Sequence, residues 1–213
     1  MTVRPEAVVL AGGRSSRMKA DKALLDVGGT SLLAAVCGRL NACCVRTTVV
    51  VADERQHVYA SVLAAFGDRV RVVGDVYPGA GPLAGVHAGL KAADAEWVFV
   101  VACDMPVFSA SLFEKLCGHA AGAPETADAV VCGGQPFFAL YRRRCYREAE
   151  RLLECGERRM SAWLEALRTI VVDASDEEKA CFLNLNTPED YAAFRARVKT
   201  IGGCGDGVPP KVE

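Results

Sequence analysis

The sequence predicts an α/β domain whose sheet is mostly parallel with an antiparallel portion, and three observations point that way. Short β-branched runs alternate with longer segments of helical apolar spacing, the pattern of βαβ units. The short runs are rich in Val and continuous rather than alternating, as expected of strands covered on both faces. After about residue 125 the rhythm changes, and Gly133-Gly134 stands between two apolar runs where a tight hairpin turn would fit.

In chain order, residues 6–11 open the sheet, and 47–52, 69–73 and 97–103 supply three further Val-rich strands. Helices are expected between them at 31–41, 55–66, 82–93 and 109–120, with Pro82 and Ser109 suited to helix starts. Residues 127–132 and 136–141 flank the glycine pair. Helical stretches at 146–154 and 160–167, a strand at 169–172 and a helix from 188 to about 199 complete the domain. One domain over residues 1–201 is expected, with the Gly- and Pro-rich segment 202–213 as a flexible, fraying tail.

Composition narrows the function. A chain of 213 residues favours one domain over two, and 51% hydrophobic side chains with a mean hydropathy of +0.17 exclude disorder and low complexity. The 25 basic and 26 acidic residues leave no global field for nucleic acid or a membrane surface, so an anion must be held by a local cluster. The 97–103 run is far short of the roughly 20 residues of a membrane helix. Glu6 interrupts the short N-terminal run that a signal peptide would need. A cytoplasmic location is therefore expected. The ten cysteines contain no C-x-x-C pair, which argues against zinc and for small buried hydrophobes kept reduced.

Ligands of open parallel sheets bind outside the carboxyl ends of the strands, so those positions carry the chemistry. The first strand runs into Leu10-Ala11-Gly12-Gly13-Arg14-Ser15-Ser16-Arg17-Met18-Lys19-Ala20-Asp21-Lys22, two glycines, two hydroxyls and four cations in one loop. Glycines let backbone N–H groups approach an anion, and Arg17 and Lys22 can offset its charge. The loop is neither a Walker loop nor a G-x-G-x-x-G fingerprint, and a solvated basic turn is the plain alternative. The fourth strand ends at Cys103 and is followed by Asp104-Met105-Pro106, a carboxylate suited to Mg²⁺ when substrate phosphates share the ion. A turn former is the plain reading there. Asp75 follows the third strand, and Gly79-Ala80-Gly81-Pro82-Leu83-Ala84-Gly85 opens the next helix. Asn184-Leu185-Asn186-Thr187-Pro188 joins two amides to a helix start, with Thr187 as cap; an extended segment would point both amides to one side.

Other features read as structural. His57, His87 and His119 lack companion ligands at useful spacing and are expected to be surface or packing residues, and Trp97 reads as core. Arg142-Arg143-Arg144 reads as a solvated face, whereas Arg158 and Arg159 after Gly156 can reach an anionic substrate. No nucleophile elbow or Cys–His pair is evident.

Taken together, the Leu10-Ala11-Gly12-Gly13, Arg17-Met18, Asp21-Lys22, Gly81-Pro82-Leu83-Ala84-Gly85, Cys103-Asp104-Met105-Pro106 and Asn184-Leu185-Asn186-Thr187-Pro188 motifs resemble the molybdenum cofactor guanylyltransferase family over about residues 6–200. The resemblance implies a Rossmann-like, three-layer sandwich of the nucleotidyltransferase type that joins GMP from GTP to molybdopterin and releases pyrophosphate. It implies that Leu10, Ala11, Gly12, Gly13, Lys22, Asp75 and Asp104 hold GTP, and that Asp104 binds Mg²⁺. Arg17 and Lys22 face the phosphates as catalytic groups with Asp104, and Arg159, Asn184 and Asn186 meet molybdopterin. The implied partners are these substrates, with transient contact to molybdoenzymes or their chaperones. Two departures stand out: Lys19 replaces a glycine usual after Arg-Met, and Ala52 and Asp53 stand where an Asn is common. Leu-Ala-Gly-Gly and Asn-Leu-Asn favour guanine over the cytidylyltransferase pattern. A cytidylyl- or sugar-phosphate nucleotidyltransferase, a non-catalytic GTP- or molybdopterin-binding chaperone, and a thiol-redox protein are the alternatives.

Overall fold

The computed structural model describes residues 3–12, 21–51 and 55–201, the last five as backbone only. Among the described residues seven strands form one sheet: β1 (Glu6–Leu10), β2 (Thr47–Val51), β3 (Val70–Gly74), β4 (Trp97–Ala102), β5 (Ala129–Cys132), β6 (Gln135–Arg142) and β7 (Thr169–Val172). Their order is β3-β2-β1-β4-β6-β5-β7, and β6 alone is reversed, pairing antiparallel with both β4 and β5. The reversal follows the hairpin at Gly133-Gly134, where Gly134 sits at a φ of 74°.

The helices are α1 (Leu32–Cys43), α2 (Gln56–Val62), α3 (Pro82–Ala92), α4 (Ala110–Ala121), α5 (Tyr146–Glu154), α6 (Met160–Ala166) and α7 (Pro188–Ile201). The two-residue period of a strand sorts them into layers. Ala7 and Val9 of β1 join a core with Leu33, Tyr59, Leu116 and Phe194 of α1, α2, α4 and α7. Val8 and Val50 join the opposite core, with Leu83, Leu90, Leu153 and Trp163 of α3, α5 and α6. Side chains such as the fully buried Leu116 hold these layers, and its truncation to Ala would cost about 2–5 kcal/mol.

Caps fix where the helices start. Ser31 and Ser109 each accept a bond from a backbone N–H three residues on, Ala34 and Leu112, at 3.2 and 3.3 Å. The expected helix over 55–66 is shorter than its pattern: α2 stops at Val62 and a 3₁₀ segment, Ala64–Arg69, follows. Gly67, at φ 54° and ψ −140°, breaks the helical path there.

From β1 the chain builds β2 and β3 on one side, then returns through α3 to β4 on the other side of β1. That reversal opens a crevice at the carboxyl ends of β1 and β4, where open α/β sheets bind ligands. Among the described residues no helix is long and apolar enough to cross a membrane.

Candidate functional site

A cleft of about 1030 Å³ occupies this crevice. Leu10, Ala11 and Gly12 line it after β1, Asp75 after β3, and Ala102, Cys103 and Asp104 after β4. Gly79, Gly81, Pro82 and Gly85 come from the turn and first turns of α3, and Asn184 and Asn186 from the segment before α7.

One wall is a knot of charges. Asp21 caps the 3₁₀ turn Lys22–Leu24, its Oδ1 accepting from the Ala23 N–H at 3.1 Å. The ammonium of Lys22 then donates to Asp104 Oδ2 at 3.3 Å and to Asn186 Oδ1 at 3.0 Å. The Leu185 N–H donates to the Asp104 carbonyl at 2.9 Å, which stitches the Asn184–Asn186 stretch to the β4 turn. A capping box holds the other end: the Asp190 carboxylate accepts from the N–H groups of Asn186 and Thr187 at 3.0 and 2.8 Å, and the Asp190 N–H donates to the Thr187 hydroxyl. These bonds, the one to Thr187 foremost, hold the Asp190 carboxyl below the usual range. Asn184 Nδ2 donates to the Phe182 carbonyl at 3.1 Å. The side chains of Lys22 and Asp104 remain 19% and 28% exposed, so their pair adds little to stability but stands within reach of a ligand.

The facing wall is built from backbone and burial. Asp75 accepts from the Tyr77 N–H at 2.8 Å, and burial raises its carboxyl although that bond and His87 oppose the shift. Gly81, at φ 79° and ψ −163°, caps α3 ahead of Pro82. Gly89 lets α3 lie close on β1, since a methyl there would collide with both methyls of Val8. His87, fully buried on α3, lies between the rings of Tyr77 and Tyr146 at 5.3 and 6.3 Å, with Glu150 3.4 Å from its Nε2. The packing half of the sequence expectation for His87 holds; its acidic neighbour, 63 positions away, was not legible.

The cleft also takes in Gln135, Pro136 and Phe137, which the motifs did not point to. Phe138 is buried at a φ of 74°, and the Tyr141 hydroxyl donates to the Pro136 carbonyl at 2.7 Å, which together bend the start of β6 into the crevice. The only sequence signal for this wall was the glycine pair that turns the chain back.

The remaining expectations sort differently. Arg159 precedes α6 as an exposed residue bonded to Glu157 at 2.6 Å, and it does not line the cleft. That pairing brings Glu157 down to about 2. Gly13 and Arg17, like Lys19, Ala52, Asp53 and the 202–213 tail, lie outside the described residues. Arg142 corrects the solvated-face reading of the arginine run: its register against Trp97 covers it, its guanidinium lies 4.6 Å from that ring, and Nε donates to the Ala127 carbonyl. Among the described residues no three His, Cys, Asp or Glu side chains converge to cage a metal. A hard cation at Asp104 would therefore depend on ligand oxygens as well.

The MobA-like NTP transferase domain matches residues 7–171. The molybdenum cofactor guanylyltransferases of Vibrio atlanticus and Vibrio parahaemolyticus are similar to the chain at 38% and 35% identity, each over 88% of this chain and 93% of the relative. The crystal structure of the molybdopterin-guanine dinucleotide biosynthesis protein A from Archaeoglobus fulgidus superposes with a TM-score of 0.76 at 25% identity, over 92% of this chain and 99% of that one. The chain is a nucleotidyltransferase and belongs to the molybdenum cofactor guanylyltransferase family of MobA-like NTP transferases.

Proposed function

We propose that the protein transfers GMP from GTP to the terminal phosphate of molybdopterin, forming the guanine dinucleotide and releasing pyrophosphate. The observation that carries this reading is the Lys22 ammonium held between Asp104 and Asn186 at the switch point of the sheet. A terminal phosphate is already ionised at neutral pH, so its oxygen can attack the α-phosphorus of GTP without a protein base, in keeping with the lack of a triad in the sequence. The work left to the protein is positioning and charge neutralisation. Lys22 answers the charge that gathers on the departing pyrophosphate, as Arg17 does in this reading, while Leu10, Ala11 and Gly12 let the nucleotide approach the backbone. Asn184 and Asn186 orient the acceptor.

Asp104 fits Mg²⁺, because its carboxylate opens into the cleft and such an ion needs only one or two carboxylates beside phosphates and water. Bound there, the ion would supply positive charge to phosphate oxygens. The test is to incubate the protein with molybdopterin, Mg²⁺ and each nucleoside triphosphate, following pyrophosphate and the product mass. GTP is expected to give the guanine dinucleotide. A preference for CTP, transfer to a sugar phosphate, or binding without pyrophosphate release would each overturn the assignment.

A further inference from the structure

We infer that Tyr59 and Arg55, at the start of α2, are positioning residues that set Lys22 through Asp21; the inference rests on the nucleotide reading of the cleft. Asp21 immediately precedes Lys22 and lines the cleft beside it. Capping the 3₁₀ turn takes one carboxylate oxygen. The structure uses both: the Tyr59 hydroxyl lies 2.9 Å from Oδ1 and from Oδ2, and Arg55 Nη1 lies 3.4 Å from Oδ2. These further bonds add nothing to the turn itself. They tie its first residue to another element, 34 and 38 positions along the chain.

The tether is stiff. Tyr59 is fully buried among the side chains that pack on β1 and β2, so its phenol cannot swing away without disturbing the core. Burial first, and Asp21 second, push the phenol up, so it stays a donor at every working pH. The Arg55 guanidinium lies 5.9 Å from the Tyr59 ring, on the same carboxylate. Charge-assisted bonds of this kind are the strong ones, and they hold the root of a long side chain whose head is placed separately by Asp104 and Asn186. Because α2 follows the carboxyl end of β2, the tether also couples that end of the sheet to the lysine.

A double-mutant cycle tests this, read by calorimetric GTP binding and by pyrophosphate release. Tyr59→Phe removes only the hydroxyl and is expected to weaken GTP binding and lower kcat/KM for GTP by about tenfold. The KM for the acceptor is expected to stay unchanged. Combined with Lys22→Ala, the same substitution is expected to add less than about twofold. Asp21→Asn, which keeps the shape and weakens both tethers, is expected to lower GTP binding at least as much as Tyr59→Phe. Equal losses from Tyr59→Phe with and without Lys22→Ala, or unchanged GTP affinity in Tyr59→Phe, would overturn the inference while leaving the nucleotide site in place. A wild-type protein that binds no GTP would overturn the nucleotide reading, and this inference with it.

Discussion

The two walls of the cleft occupy the same topological position, the carboxyl ends of parallel strands, yet they are made of different physics. At β1 and β4 the wall is opposed charge: Lys22, Asp104 and Asn186 satisfy one another across 82 and 164 positions of chain. At β3 and α3 it is glycine backbone, a helix start and a carboxyl that burial pushes up. The sheet supplies a location; the residue types at each strand end decide whether a ligand meets charge or shape.

The largest expected effect separates the walls directly. Asp104→Ala removes the carboxylate from the charged wall and is expected to lower pyrophosphate release by about 10² to 10³, as the loss of a preorganised electrostatic partner does. Lys22→Ala should act in the same range, through kcat/KM for GTP. Full activity in either variant would dissolve the distinction between the walls. On the other side, Gly89→Ala pushes a methyl into Val8 and is expected to cost about 1–3 kcal/mol of stability, read from the urea midpoint. Gly118→Ala on α4 opens onto free space and is the matched control, expected to be neutral or stabilising by about 0.5–1 kcal/mol. Equal behaviour of the two glycines would mean that close approach does not set α3. Asp75→Asn should raise the KM for GTP about tenfold and leave kcat within a few-fold, the signature of a group that binds rather than one that answers developing charge.

The difference between the walls also explains what was legible beforehand. Continuous Val runs identify buried parallel strands, and ligands gather beyond their carboxyl ends, so Leu10, Asp75 and Asp104 could be placed in one region from spacing alone. Which oxygen Lys22 meets could not, because a contact between residues 22 and 186 depends on the order in which strands assemble. The early end of α2 carried no signal in a helical pattern that runs on to Phe66. Arg142 looked solvated because its neighbours are charged, and only the β4–β6 register puts Trp97 beside it. Tyr59 carried no signal at all: an aromatic on an apolar helix face reads as core, and its hydroxyl acquires a purpose only when Asp21 is folded against it.

The smallest expected effect concerns the packing behind the wall at β3 and α3. Among the described residues neither ring nitrogen of His87 finds a hydrogen bond, although Glu150 lies at ion-pair distance from Nε2. Burial first, and the nearby Lys91 second, push the imidazole below its ordinary 6.5, while Glu150 and Asp75 pull it up without prevailing. The sign follows from linkage. Above pH 6.5 the ring is neutral in both states and its contribution to stability is fully present. As the pH falls below that value, the unfolded chain takes a proton that the folded protein resists, so the contribution is lost on the way down to the folded-state pKa. His87→Phe keeps a flat ring between Tyr77 and Tyr146 and removes the titration. The urea midpoint of the wild type is therefore expected to fall more steeply between about pH 7 and pH 5 than that of the variant. Parallel curves would mean that the ring takes its proton in place, drawn by Glu150, and that this wall is as electrostatic as the one it faces.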